Sequence, residues 1–96
     1  MKIKWRELAY NNYRATIIFG NGLEICTDVD YKPVIGLCDI TVSIFHSRKQ
    51  QSSASNIKSI EEAKKIAIDR ACSAIDSFAS KFDIASKEFH SEINSL

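Results

Sequence analysis

Disulfide spacing, a membrane-length apolar run and a clear excess of either charge are all missing from this 96-residue chain. The cysteines, Cys26, Cys38 and Cys72, are odd in number and widely spaced, with no Cys-x-x-Cys pair. That argues against a disulfide framework or a zinc knuckle and for free thiols in a reducing compartment. No apolar stretch approaches the roughly 20 residues of a spanning helix. The start, Met1-Lys2-Ile3-Lys4-Trp5-Arg6-Glu7, has no apolar signal core. A cytoplasmic protein of a host cell, without membrane contact, is the expectation. Thirteen basic residues against twelve acidic ones leave a net charge of +1. A protein that lives by neutralising phosphates normally carries more positive charge than this.

What is there reads as ordinary globular composition, because 45% hydrophobic and 26% charged residues are enough to form one core. At this length one domain over residues 1–96 is expected. Tyr13, Ala15, Ile17 and Phe19 alternate with Arg14, Thr16 and Ile18, the period of a half-buried strand. After Gly20-Asn21-Gly22, the residues Leu23, Ile25, Thr27 and Val29 alternate with Glu24, Cys26 and Asp28. A two-residue Asn21-Gly22 loop sets Phe19 against Glu24 and Ile17 against Cys26. A three-residue loop with Gly22 left-handed pairs Phe19 with Leu23, Ile17 with Ile25 and Tyr13 with Val29. Because a one-residue slip reverses every side chain, the second register is expected.

Asp30-Tyr31-Lys32-Pro33 predicts another turn. A third strand follows from Leu37 to Phe45, with Cys38, Ile40, Val42 and Ile44 on its apolar side. Ile3 to Leu8 adds a fourth strand if Asn11-Asn12 turns the chain. Residues 46–58 are polar and predict a flexible connection. Ser59-Ile60-Glu61-Glu62 then has the form of a capping box, with Ser59 accepting from the Glu62 N–H and Glu62 reaching back to the Ser59 N–H. Ile60, Ala63, Ala67, Ala71, Ala74, Ile75, Phe78 and Phe82 fall in one arc at about 100° per residue. The fold class is therefore α+β: an antiparallel sheet of three or four strands, with one long amphipathic helix on one face. Phe78 and Phe82 are expected to fill the far end of that contact. Ala85, Phe89 and Ile93 prolong the stripe into residues 83–96, where no sheet is left to cover it. A partner chain, a second copy among the candidates, is implied.

The chemistry-bearing residues form no recognisable catalytic pattern. Asp28, Asp30 and Asp39 gather near one end of the sheet but match no calcium-loop spacing. Cys72 with His46 or His90 lacks any activating elbow. Gly20-Asn21-Gly22 joins strand to strand, whereas phosphate cradles precede a helix. No enzyme activity, metal or cofactor is expected. The uncovered sheet face is the stronger candidate, with Arg14, Glu24, Asp28, Asp39 and Thr41 as partner-binding residues, followed by Arg48 and Lys49 in the polar connection. Lys2, Lys4 and Arg6 beside Trp5, together with Arg14, Arg48 and Lys49, raise the alternative of a small DNA- or RNA-binding accessory protein. Against it, the face as read from three strands carries Glu24, Asp28 and Asp39 beside Arg14 alone.

An early Trp5, then Tyr13-Arg14-Ala15-Thr16-Ile17, then Ser59-Ile60-Glu61-Glu62-Ala63-Lys64-Lys65-Ile66-Ala67 resembles short phage and prophage reading frames over residues 5–82. Such proteins include anti-CRISPR inhibitors, which occupy surfaces of Cas complexes and usually have no active site. The resemblance implies a phage-type protein that inhibits a host defence complex, protein or ribonucleoprotein, by contact. The strand–strand–strand–helix order is also similar to integrase arm-binding domains, whose sheets are more basic. Neither family carries functional positions over to particular residues here.

Overall fold

The structure, a computed structural model, describes residues 1–20, 22–44 and 48–94, with Arg48 described by its backbone alone. Five strands and one helix follow in order: β1 Lys2–Ala9, β2 Asn12–Ile18, β3 Glu24–Lys32, β4 Leu37–Ile44, β5 Arg48–Ala54 and α1 Ile60–Asn94. The strands lie side by side in chain order, every neighbouring pair antiparallel. The class is α+β, as the alternation requires, but the sheet has five strands rather than three or four.

The fifth strand is the main correction. Arg48–Ala54, expected as part of a flexible connection, pairs along its length with β4, from Ile44↔Arg48 to Cys38↔Ala54. Its residues are polar because an edge strand beyond the helix has little to bury, so hydrophobic periodicity could not reveal it. β1 is present as well, and its turn is Tyr10-Asn11, with Asn11 at φ 57° and Asn12 already inside β2. The turn expected at Asp30–Pro33 sits later, at Pro33–Gly36, with Gly36 at φ +64°. Asp30 and Tyr31 remain in β3, opposite Asp39 and Cys38.

The three-residue loop after β2 is observed. Ile17 faces Ile25 and Tyr13 faces Val29; the Phe19 N–H donates to the Leu23 carbonyl at 2.9 Å, and Gly22 takes φ +87°. Asn21, the end of the expected third strand at Phe45, and His46 lie outside the described residues.

The core sits between α1 and the central strands β3 and β4. Ile25, Val29, Ile40 and Cys38 are almost wholly buried there, against Ala63, Ala67, Ala71 and Ala74. Each large aliphatic side chain so placed contributes roughly 1.5–3 kcal/mol before ordering entropy is subtracted. The four alanines bring the helix backbone down onto the sheet, where Thr27 donates its hydroxyl to the Ala67 carbonyl at 3.2 Å. Ser59 caps the helix as expected, accepting from the Glu62 N–H at 3.2 Å. The reciprocal bond differs by one residue: Glu62 accepts from the Lys58 N–H at 3.1 Å.

Phe78 is the last aromatic packed against the core, and Phe82 is 68% exposed, so it does not fill the far end of the contact. α1 nevertheless continues to Asn94, 35 residues in all. The molecule measures 60 × 26 × 18 Å, with a radius of gyration of 16.5 Å. A compact chain of this length has a radius of about 12–13 Å; the second half of α1 accounts for the excess.

Candidate binding face

Strand period and register together decide which side chains share the sheet face opposite α1. In β2 that face receives Arg14, Thr16 and Ile18, because Ala15 and Ile17 are buried beneath the helix. The register then adds Glu24, Cys26 and Asp28 from β3, and Asp39, Thr41 and Ser43 from β4. From the outer strands come Lys2, Lys4 and Arg6, opposite Ile18, Thr16 and Arg14, and Lys49, Gln51 and Ser53, opposite Ser43, Thr41 and Asp39. Of the residues expected to bind a partner, the structure brings Arg14, Glu24, Asp28, Asp39, Thr41 and Lys49 together. Arg48 opens β5, paired with Ile44.

Two ion pairs organise the charges. Arg14 meets Asp28 across the β2–β3 pair in a two-pronged contact, Nε to Oδ1 at 2.7 Å and Nη2 to Oδ2 at 3.0 Å. That hydrogen bond, more than the charge itself, raises the Arg14 pKa further. Lys32 Nζ reaches Asp39 Oδ2 at 2.8 Å, while the Ser53 hydroxyl donates to Asp39 Oδ1 at 2.8 Å. These two bonds hold the Asp39 carboxyl below its ordinary range, and the Lys32 ammonium is correspondingly raised by its bond to Asp39. Both pairs are partly solvated, so they fix side-chain positions more than they stabilise the fold.

Around them lie Thr16, Ile18, Cys26, Thr41 and Ser43, half-buried by their strand neighbours alone. A shallow depression of about 230 Å³ is lined by Arg14, Cys26, Asp28, Thr41, Ser43 and Lys49. The three-strand reading set Arg14 alone against Glu24, Asp28 and Asp39, and this balance is corrected. β1, β5 and the longer β3 add Lys2, Lys4, Arg6, Lys49 and Lys32, against one further acid, Asp30. The strand-period signal was present in Lys2-Ile3-Lys4-Trp5-Arg6, with bases and apolar residues alternating, but Glu7-Leu8-Ala9 obscured it. A bulge between Glu7 and Ala9 is where the register shifts.

Elsewhere the chemistry is sparse. Among the described residues no group of His, Cys, Asp and Glu is placed to hold a metal ion. Asp30 and Asp39 are opposed across β3 and β4, and Asp39 is already engaged by Lys32 and Ser53. Cys38 is buried, and that burial pushes its thiol pKa up. Cys72 is exposed on α1, with His90 about 27 Å further along the same helix. On the helix side of β1, Lys64 Nζ stands 4.2 Å from the Tyr13 ring centre and 5.1 Å from that of Trp5, pinning the rim of the sheet to α1. No helix of the described residues is long and apolar enough to cross a membrane. Comparison with family models, curated proteins and solved structures finds no match to this chain.

Proposed function

We propose that the protein is a non-enzymatic binding protein that engages another protein through the sheet face opposite α1. The observation that supports this most is the state of that face. Its charges Arg14 and Asp28, and Lys32 and Asp39, already match one another. A partner can therefore cover it without leaving those groups unpaired, which is the usual penalty of burying charge. The bases of β1, which form no ion pair among the described residues, favour a partner surface with acidic groups facing that edge. On the resemblance of residues 5–82 to phage inhibitors, the partner is a host defence complex such as a CRISPR–Cas effector, blocked by occupation of its surface in the cytoplasm.

Affinity capture from the host cell, with mass spectrometry, tests this reading. Thr41→Arg places a long cation in the middle of the face without entering the core. It should weaken the captured complex at least about tenfold, or 1.4 kcal/mol, while shifting folding stability by no more than about 0.5 kcal/mol. The exchanged pair Arg14→Glu with Asp28→Lys keeps an internal ion pair and moves the charges; it should weaken binding too. Capture unaffected by both variants overturns the reading.

One observation favours a second reading, direct nucleic-acid binding. Lys2, Lys4, Arg6 and Lys49 form no ion pair among the described residues, and they flank a sheet face that can lie along a groove. Labelled duplex and single-stranded oligonucleotides distinguish the two. Phosphate binding falls steeply with salt and with Lys2→Glu, Lys4→Glu and Arg6→Glu; no binding to either strand form removes this reading.

A further inference from the structure

We infer that the free half of α1 is the interface of a homodimer, in which two copies of the chain pair antiparallel about Ala85 and Ser86. From Phe78 onward the helix carries Phe82, Ala85, Phe89 and Ile93 on the side that faces the sheet further back, and among the described residues no strand covers them. Phe82 is 68%, Phe89 63% and Ile93 48% exposed. A helical segment of this length is marginal in water without packing, so its persistence to Asn94 calls for a covering surface.

The sequence of that stripe is complementary to itself when reversed. Steps of four, three and four residues from Phe78 to Phe89 follow the spacing of a two-helix seam. Centring a two-fold axis between Ala85 and Ser86 sets Phe82 against the partner's Phe89, and Phe78 against the partner's Ile93. The smallest residues meet at the axis. Four exposed rings at roughly 200 Å² each then bury about 500 Å², near a third of a standard interface from aromatics alone.

Charge agrees with the same register. Lys81, Glu88 and Glu92 share one flank of the stripe, and in the antiparallel pair Lys81 falls between the partner's Glu88 and the partner's Glu92. The last turn of α1 carries no basic residue of its own, so the partner's Lys81 supplies the positive charge that a helix C-terminus favours. The Asp83–Lys87 pair, 3.1 Å apart, lies on the opposite side, away from the seam. At the foot of the free segment a recess of about 370 Å³, lined in part by Ile44, Phe78 and Lys81, stands where the partner's Ile93 arrives. The second copy's helix thus takes over the stripe where the sheet ends. The exposed edge of β1 offers no equivalent, because Lys2, Lys4 and Arg6 oppose one another when two copies of that strand pair antiparallel.

Sedimentation velocity of the whole chain over micromolar to submillimolar concentrations tests the inference. Wild type should move from monomer to dimer with concentration. Phe82→Glu with Phe89→Glu should remain monomeric while its sheet still unfolds cooperatively. Lys81→Glu, at an exposed position, should weaken the dimer at least tenfold, and adding Glu88→Lys and Glu92→Lys should restore it. A monomer at every concentration overturns the proposal and leaves the stripe to a different protein. So does a dimer indifferent to Phe82→Glu with Phe89→Glu, or one that the charge exchange fails to restore.

Discussion

Thr27 and Ala67 join the sheet to the helix: the threonine hydroxyl donates to the alanine's backbone carbonyl at 3.2 Å, with both residues wholly buried. Thr27 is the one buried polar side chain among the described residues, and the bond forms because Ala67, with only a methyl group, does not hold the helix away. The same contact answers why the helix stripe uses alanine at Ala63, Ala67, Ala71 and Ala74, while Ile60 and Phe78 stand at its ends.

Two substitutions separate the hydrogen bond from the close approach. Thr27→Val keeps the shape, and the Ala67 carbonyl also lies within the helical ladder, so the loss should be about 0.5–1.5 kcal/mol. Ala67→Leu forces atoms into a filled layer and should cost about 1–3 kcal/mol or more. Chemical denaturation measures both. Equal costs for the two would show that the helix does not lie as close as the geometry states.

Gly36 ends the Pro33–Gly36 turn at φ +64°, and a Cβ there would lie 3.3 Å from the Ile57 carbonyl oxygen. The Gly36 carbonyl also accepts from the Ile57 N–H at 2.8 Å, and Ile57 in turn accepts from the Tyr31 hydroxyl at 3.1 Å. Gly36→Ala combines left-handed strain with a tight contact and should destabilise by about 1–2 kcal/mol. Gly20→Ala, which meets no atom within 4 Å, is the control and should cost clearly less.

The Asp39 carboxyl, lowered first by Lys32 and then by Ser53, makes stability fall with acid. A group whose pKa is lower in the fold contributes fully above its unfolded value of about 3.9, and that contribution disappears as pH falls through the lowered value. Lys32 behaves oppositely: its raised pKa adds stability below about 10.4, lost as pH climbs through the folded value. Asp39→Asn should therefore flatten the acid side of a stability–pH curve while leaving the slope between pH 6 and 8 unchanged. The effect is small because both groups are solvated. An acid limb as steep in Asp39→Asn as in wild type would remove Asp39 as its source.

How much was legible follows from what each residue had to bury. Ile17, Ile25 and Val29 alternate because one side of β2 and β3 lies under α1, and a one-residue error in their loop would have exposed them all; the register could be read. Glu62 and Ser59 marked the helix start through local hydrogen bonding, with only the reciprocal donor misplaced by one residue. β5 could not be read, since Lys49, Gln51 and Ser53 gain their strand conformation from the hydrogen bonds of β4 and not from any apolar face. The place of Lys2, Lys4 and Arg6 was obscured differently, by Glu7-Leu8-Ala9 interrupting the alternation of β1, and they join Arg14 only once β1 is seated beside β2.

The chain by itself determined that alternating apolar residues make strands, that Ser59 begins a helix, and that alanines and aromatics share one stripe along it. Those are short-range consequences of period and capping, and they hold wherever the segments end up. Tertiary structure alone decided that five strands lie in chain order, that Arg14 meets Asp28 and Lys32 meets Asp39, and that the contact with the sheet ends at Phe78 rather than Phe82. These outcomes depend on distances between residues far apart in the chain, set by register and by how many strands a single helix can cover.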